Sequence, residues 1–192
     1  MLNLWREEGI TDEALELYDV RFDPFDNRLV LPIRDLGGKI VNICGRTTDP
    51  MYKEKKLRKY TYYRGWDDGM SIIHGLYENY DSIKQSGEII LFEGIKSVMK
   101  AYGWGIKNTG AILTSHLNPG QFKNLIKLGV DVAFALDAEV DIRTDRNIQR
   151  LAPYAKVYWI KNQDGLLDEK DSPVDKGEEV FRKLYERKVR IR

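Results

Sequence analysis

The chain has 192 residues, of which 42% are apolar and 32% charged, with a formal net charge of +1. This mixture is typical of a globular protein with a sizeable core. No apolar run approaches the roughly 20 residues that cross a bilayer, and the acidic start differs from a secretory signal. The single cysteine, Cys44, excludes an internal disulfide and a cysteine-rich zinc site, so we expect a cytoplasmic protein without membrane partners.

The first half of the sequence predicts a β-rich lobe with a positive surface. The stretch RLVLPIRDLGGKIVNICGR, residues 28–46, has apolar runs on both sides of residues 35–39, and Gly37 and Gly38 can supply positive φ, which predicts a β-hairpin. Residues 28–64 contain ten basic and three acidic side chains, a net charge of +7. Such a charge suits a polyanion, nucleic acid first. A solvated lysine-rich loop is the alternative.

From Gly87 onward, short apolar runs alternate with amphipathic stretches. The runs predict four strands, at residues 88–92, 111–113, 130–136 and 156–160. Helices are predicted at residues 95–102, 118–129, 141–151 and about 175–187, with Asn118 capping the second and Gly129 ending it. We therefore predict an α/β fold in which a four-stranded parallel sheet flanked by helices, residues 86–192, follows the basic lobe, residues 1–85.

Acidic residues follow three of the four predicted strands. Glu93 follows the first strand, Asp137 and Glu139 follow the third, and the acid-rich run NQDGLLDEKDSPVDKG follows the fourth. The carboxyl ends of parallel strands meet at one edge, and crowded carboxylates repel each other unless cations lie between them. Their oxygen atoms suit Mg²⁺. Considered alone, Glu93 also fits a simpler interpretation, a carboxylate near a helix N-terminus.

These motifs resemble those of a known family. Glu93-Gly94 after an apolar strand, with Asp137-x-Glu139 after a later one, resembles the Toprim domain, and we expect Gly94 to let the chain turn closely beneath Glu93. The hairpin sequence at 28–46 resembles the signature of the DnaG-type bacterial primase RNA polymerase domain. KYTYY, HGLYE and ILTSHLNPGQ are similar to further segments of that family. The resemblance covers nearly the whole chain and is strongest to forms encoded by phages and related mobile elements.

The resemblance implies a DNA primase core that makes short RNA primers on single-stranded DNA from nucleoside triphosphates, with one to three Mg²⁺ or Mn²⁺ ions. Catalysis is then expected from Glu93, Asp137 and Glu139. The same three residues and Asp171 are expected to bind metal. Template and triphosphate are expected to contact Arg28, Arg34, Arg46 and Lys59. Bases are expected to stack on some of the aromatic residues Tyr60, Tyr62, Tyr63 and Trp66, although strand packing is the alternative for at least half of them.

The sequence departs from the family in informative places. Ser97 stands where the family's E-G-x-x-D pattern has aspartate, so one metal ligand is missing and Ser97 is expected at best to bind a water. Residues 67–70 stand where the family has a lysine-glycine pair. Lys96 is expected either to add positive charge beside the site or to face solvent. Zinc-binding and helicase-binding modules are missing, so we expect a core cut from a longer protein or encoded alone, with a replicative helicase reached through a region absent here. A Toprim nuclease and a non-catalytic nucleic-acid-binding module remain as alternatives.

Overall fold

The computed structural model describes residues 2–64 and 71–191, within which the chain forms two sheets. The first is antiparallel, with strand order β1-β2-β3-β4. Its strands are β1 (Arg21–Asp23), β2 (Arg28–Arg34), β3 (Ile40–Thr47) and β4 (Tyr60–Tyr62). β2 and β3 form the predicted hairpin. In its turn Gly38 has φ +82°, which favours glycine, and an added Cβ would lie 2.7 Å from the Tyr77 ring, which would have to move.

The second sheet has the strand order β6-β5-β7-β8-β9. Its strands are β5 (Glu88–Phe92), β6 (Thr109–Ala111), β7 (Asp131–Ala135), β8 (Val157–Trp159) and β9 (Val189–Ile191). The first four pair in parallel, which confirms the predicted α/β sheet. The prediction missed β9, which is antiparallel to β8. Val189, Arg190 and Ile191 alternate between apolar and charged, but three residues are too short a run to predict a strand.

Seven helices lie within the described residues: α1 (Asn3–Glu7), α2 (Asp12–Leu17), α3 (Tyr80–Ser86), α4 (Ile95–Gly103), α5 (Pro119–Leu128), α6 (Arg146–Gln149) and α7 (Glu178–Glu186). α5 has the predicted ends, a capping box at Asn118 and Gly129 in the left-handed region. The helix predicted at 141–151 is wrong in its extent. A 3₁₀ turn (Ile142–Thr144) precedes α6, because the Asp145 carboxylate accepts the N–H groups of Asn147 and Ile148 and starts a new helix.

Apolar residues cover both faces of the second sheet. On one face, Ile89 and Leu91 pack with α5 residues such as Phe122. On the other face, a single cluster joins both sheets and the N- and C-terminal helices: Trp5, Leu29, Leu31, Ile90, Phe92, Val98, Met99 and Phe181 are among its members. The basic lobe therefore packs on the parallel sheet through a shared core. The boundary near residue 85 stays a prediction. No helix of the described residues is long and apolar enough for a membrane span.

Candidate active site

The parallel sheet brings the predicted acids to one edge. Phe92 of β5 pairs with Ala135 of β7, so Glu93 and Asp137 leave neighbouring strands on the same side of the sheet. We call this side, at the C-terminal ends of β5, β6, β7 and β8, the carboxyl edge. Gly94 has φ −107° there, and an added Cβ would meet no atom within 4 Å. The expectation that Gly94 is needed for a close turn is therefore wrong.

The carboxylates at this edge interact electrostatically. Partial burial, followed by the charges of Asp137 and Glu139, raises the pKa of Glu93, and His116 opposes the rise. Burial also raises the pKa of Asp137 to about 6, with contributions from Asp175, Glu139 and Asp171. Lys59 of the basic lobe opposes this second rise. Negative charge is therefore concentrated between Glu93 and Asp137, and Lys59, the residue before β4, places a cation within reach of it.

The donor set at the carboxyl edge fits a hard divalent cation. Glu93, Asp137 and Glu139 offer only oxygen atoms, and their mutual repulsion favours a cation among them. Within residues 2–64 and 71–191 no three acidic, histidine or cysteine side chains already form a group that could hold an ion. Mg²⁺ is commonly bound through one or two carboxylates, waters and substrate phosphates, so a closed protein cage is not required.

Asp171 reaches the same edge through the loop that joins β8 to α7, residues 160–177, which we call the acidic loop. The main-chain oxygen of Asp171 accepts the Ala138 N–H at 3.0 Å, so the acidic loop contacts the turn between Asp137 and Glu139. The Asp171 carboxylate accepts the Asp168 N–H at 2.9 Å and lies 3.1 Å from Lys176 Nζ. These contacts hold the pKa of Asp171 below its usual value.

The four predicted basic residues occupy different surroundings. Lys59 is exposed and faces Asp137. The Arg46 guanidinium lies over the rings of Tyr52 and Tyr60, at 5.3 and 5.6 Å from their centroids. Arg28 is buried, and its guanidinium donates to main-chain oxygens, at 3.3 Å to Gly45 and 3.1 Å to Arg58. These contacts give Arg28 a structural task, and its binding role stays a prediction.

Arg34 lies farther from the acids. Its guanidinium nitrogens lie 3.7 Å from the Glu78 carboxylate and 3.8 Å from that of Asp19. It lines a cavity of about 350 Å³ with Lys127 and Leu128, from the last turn of α5. Because α5 begins after β6 ends and finishes before β7 begins, that turn lies toward the opposite edge of the sheet. The described contacts therefore bring only Lys59, of the four basic residues, to the carboxylates.

The aromatic residues of the basic lobe are mainly packing residues. Tyr60 and Tyr62 lie in β4, and burial raises the pKa of Tyr60 to about 12 and also raises that of Tyr62. Tyr63 is more exposed, and its hydroxyl donates to Asp26 at 2.8 Å. Trp66 and the segment 67–70 lie outside the described residues, so their predicted roles stay predictions.

The structure adds one residue that sequence reasoning missed and gives unexpected contacts to two that it named. His116 is exposed near Glu93, and its Nδ1 lies 3.8 Å from the buried carboxylate of Asp145. Its position in the segment after β6 was the available signal. Ser97 is buried, and its Oγ lies 2.9 Å from Ser172 Oγ, so its hydroxyl has a protein partner and the expected water contact stays a prediction. Lys96 forms an ion pair with Glu8 near α1, so it neither charges the site nor stays free in solvent.

Known proteins resemble this architecture along almost its full length. The structure matches the zinc-binding and RNA polymerase domains of the Aquifex aeolicus primase, with a TM-score of 0.78, 21% identity and coverage of 98% of this chain and 56% of that one. It also matches a DnaG primase catalytic domain bound to single-stranded DNA, with a TM-score of 0.72, 18% identity and coverage of 98% and 74%. The chain has the fold of a DnaG-type primase catalytic core.

Sequence comparison agrees with this primase-core fold. The SPbeta prophage-derived protein YorJ of Bacillus subtilis, which is uncharacterized, is 31% identical over 216 residues, 98% of this chain. The DNA primase of Halalkalibacterium halodurans is 30% identical over 171 residues, 85% of this chain. The chain spans 57% of the first protein and 27% of the second. No protein-family model matches it. The resemblance to DnaG-type primases is therefore confirmed for the fold.

Proposed function

We propose that this chain is a primase catalytic core that joins ribonucleotides into short primers on single-stranded DNA in a bacterial or phage-infected cytoplasm. The observation that carries the proposal is the set of charges that act on Asp137, which includes three acids and one base: Glu139, Asp171, Asp175 and Lys59. An acidic edge opposite a basic lobe suits phosphoryl transfer, in which the protein mainly positions phosphates and neutralises charge. The fold and the DNA bound to the related DnaG domain support this function.

The proposed roles follow from position. Glu93, Asp137 and Glu139 bind one or two divalent ions, and Asp171 adds an oxygen ligand when it exchanges its contact with Lys176. When bound, Mg²⁺ or Mn²⁺ neutralises the charge that develops on the triphosphate. Glu93, the carboxylate that leaves β5 and has a raised pKa, accepts the proton of the primer 3′-hydroxyl. Lys59 and Arg46 hold the phosphates of the template or the triphosphate on the basic lobe.

A primer-synthesis assay with labelled nucleoside triphosphates, single-stranded template and Mn²⁺ tests this function. We expect products longer than a dinucleotide from the wild type and at least a hundredfold loss in Glu93→Gln and Asp137→Asn, an effect of the size typical for removal of one catalytic group. Asp131→Asn is the matched control, because Asp131 lies at the opposite end of β7 and pairs with Lys156. Template cleavage without synthesis would instead identify a nuclease, and DNA binding without either reaction a binding module.

Crystals soaked in Mn²⁺ test the metal placement separately. Anomalous scattering should locate an ion bound by Glu93, Asp137 or Glu139, because their mutual repulsion makes this the most favourable position for a cation. An ion bound only by the acidic loop would contradict the placement while leaving the primase function open to the activity assay.

A further inference from the structure

Two side chains on one side of α4 contact the acidic loop. Ser97 Oγ lies 2.9 Å from Ser172 Oγ, and Lys100 Nζ lies 3.1 Å from the Asp175 carboxylate. Residues three positions apart lie on the same side of a helix, so Ser97 and Lys100 act on the loop together. Ser97 and Ser172 are only 6% and 7% exposed. Their hydrogen bond is therefore shielded from water, whereas the lysine contact is partly solvated.

The acidic loop, which contacts α4, also contacts the carboxyl edge. Ser172 follows Asp171, whose main-chain oxygen accepts the Ala138 N–H at 3.0 Å. Ala138 lies between Asp137 and Glu139, the acidic pair at the end of β7. At the other end of the connection, α4 begins two residues after Glu93. The serine pair thus joins the exit of β5 to the exit of β7 through two hydrogen bonds.

We propose that Ser97 is a positioning residue, whose buried hydrogen bond to Ser172 fixes the acidic loop and thereby the spacing between Glu93 and the pair Asp137 and Glu139. A neutral contact at this position holds the edge together without adding a further carboxylate to groups that already repel each other. The role in metal binding rests on the proposed function. The hydrogen-bonded connection itself does not, so the two can be tested apart.

Amide hydrogen exchange in EDTA tests the connection without metal. We expect Ser97→Ala and Ser172→Ala each to speed exchange of the Ala138 amide about 2- to 10-fold, the effect of losing one neutral hydrogen bond. The double variant should show no further increase, because either change alone breaks the same bond. The Gly38 amide, which donates to Asp35 in the hairpin turn, is the internal control and should not change.

Mn²⁺ affinity, measured by calorimetry, tests the consequence for the site. Ser97→Ala should weaken Mn²⁺ binding about 2- to 10-fold, and Ser97→Thr, which keeps the hydroxyl, should restore most of it. Ser86→Ala serves as a matched control, since this serine bonds main-chain oxygens of Ile83 and Glu88 at the far end of the sheet. Unfolding temperatures identify any variant that fails to fold, in which case Ser172→Thr and Ser172→Ala provide the same comparison from the partner residue.

The outcomes separate the inference from the proposed function. Unchanged Ala138 exchange in Ser97→Ala would overturn the connection, and unchanged Mn²⁺ affinity with faster exchange would overturn the positioning role. Loss of affinity in Ser97→Thr equal to that in Ser97→Ala would also count against it, since the hydroxyl would not matter. A wild-type protein that binds no Mn²⁺ would refute the metal-dependent function and the positioning of a metal site, while the Ala138 amide would still report whether the serine bond exists.

Discussion

Replacing Asp137 by asparagine should stabilise the metal-free protein while abolishing primer synthesis. The pKa of Asp137 is raised from 3.8 to about 6, first by burial and then by neighbouring acids. A pKa difference of 1 between the folded and unfolded states corresponds to about 1.4 kcal/mol. The ionised carboxylate would therefore oppose folding by at most about 3 kcal/mol. Because the side chain is only partly buried, solvent screening reduces this, and we expect a gain of about 1–2 kcal/mol for Asp137→Asn at pH 7.5.

The pH dependence follows from the direction of the shift. Between pH 3.8 and about 6 the folded state holds a proton on Asp137 that the unfolded state has lost, so stability falls as the pH rises through this window. Above pH 6 the full penalty is present. The advantage of Asp137→Asn should therefore be constant above about pH 7 and shrink as the pH is lowered toward 3.8.

Urea unfolding in EDTA at pH 7.5 and pH 4.5 measures this difference. Asp131→Asn, on the same strand, controls for the loss of a carboxylate elsewhere and should gain no stability, since its ion pair with Lys156 is lost. Added Mn²⁺ should raise the stability of the wild type much more than that of Asp137→Asn. Equal stability of Asp137→Asn and wild type at pH 7.5, or an equal gain at both pH values, would refute the electrostatic account.

Three further predictions concern the basic lobe. Lys59→Ala should weaken single-stranded DNA binding and reduce the slope of log affinity against log salt by about 0.7, the share of one phosphate contact, whereas Lys123→Ala on α5 should not. Arg28→Met should lower the free energy of unfolding by about 2 kcal/mol, measured in urea, because buried carbonyl oxygens lose a charged donor. Gly38→Ala should cost ~1–2 kcal/mol from backbone strain alone, while Gly94→Ala, in open extended geometry, should cost much less.

Each of these has a clear contrary result. An unchanged salt slope in Lys59→Ala would remove this lysine from the nucleic-acid contact. If Arg28→Met kept full stability but bound DNA more weakly, Arg28 would be a DNA-binding residue and not the structural residue that its contacts indicate. Equal costs at Gly38 and Gly94 would mean that positive φ and the crowding against Tyr77 do not matter in the turn.

The sequence predicted those parts of the fold that local patterns encode. Apolar runs located β5, β7 and β8, whereas the strand predicted at 111–113 shares only Ala111 with β6. The cap at Asn118 bounded α5 correctly. Strand exits brought the acids to one edge. The 141–151 helix was overestimated because helical periodicity continues through Asp145, although this side chain begins a new helix. The short edge strand β9 was missed because its identity depends on the neighbouring strand.

Contacts between distant segments could not be predicted in the same way. Arg28 resembles any other basic residue of its lobe until the Arg58 carbonyl, 30 positions later, is placed against it. Ser97 was interpreted as a lost ligand because the family has aspartate there, and nothing local indicated its partner Ser172, which lies 75 positions away in a loop without periodicity. Local sequence determines which side chains leave a strand or helix, whereas tertiary packing determines which of them remain available to bind a ligand.

The core shared by both sheets has a consequence for biosynthesis. Phe181 of α7 packs against Phe92, with ring centroids 5.7 Å apart, and Phe92 immediately precedes Glu93. The residues that support the carboxyl edge therefore include one that leaves the ribosome 89 residues after Phe92. A nascent chain that has already exposed its basic lobe and its first acids still lacks this support. Under the proposed function, we expect the charge of the basic lobe to attract nucleic acid before the site is complete, and the carboxylates to reach their arrangement only after α7 has docked.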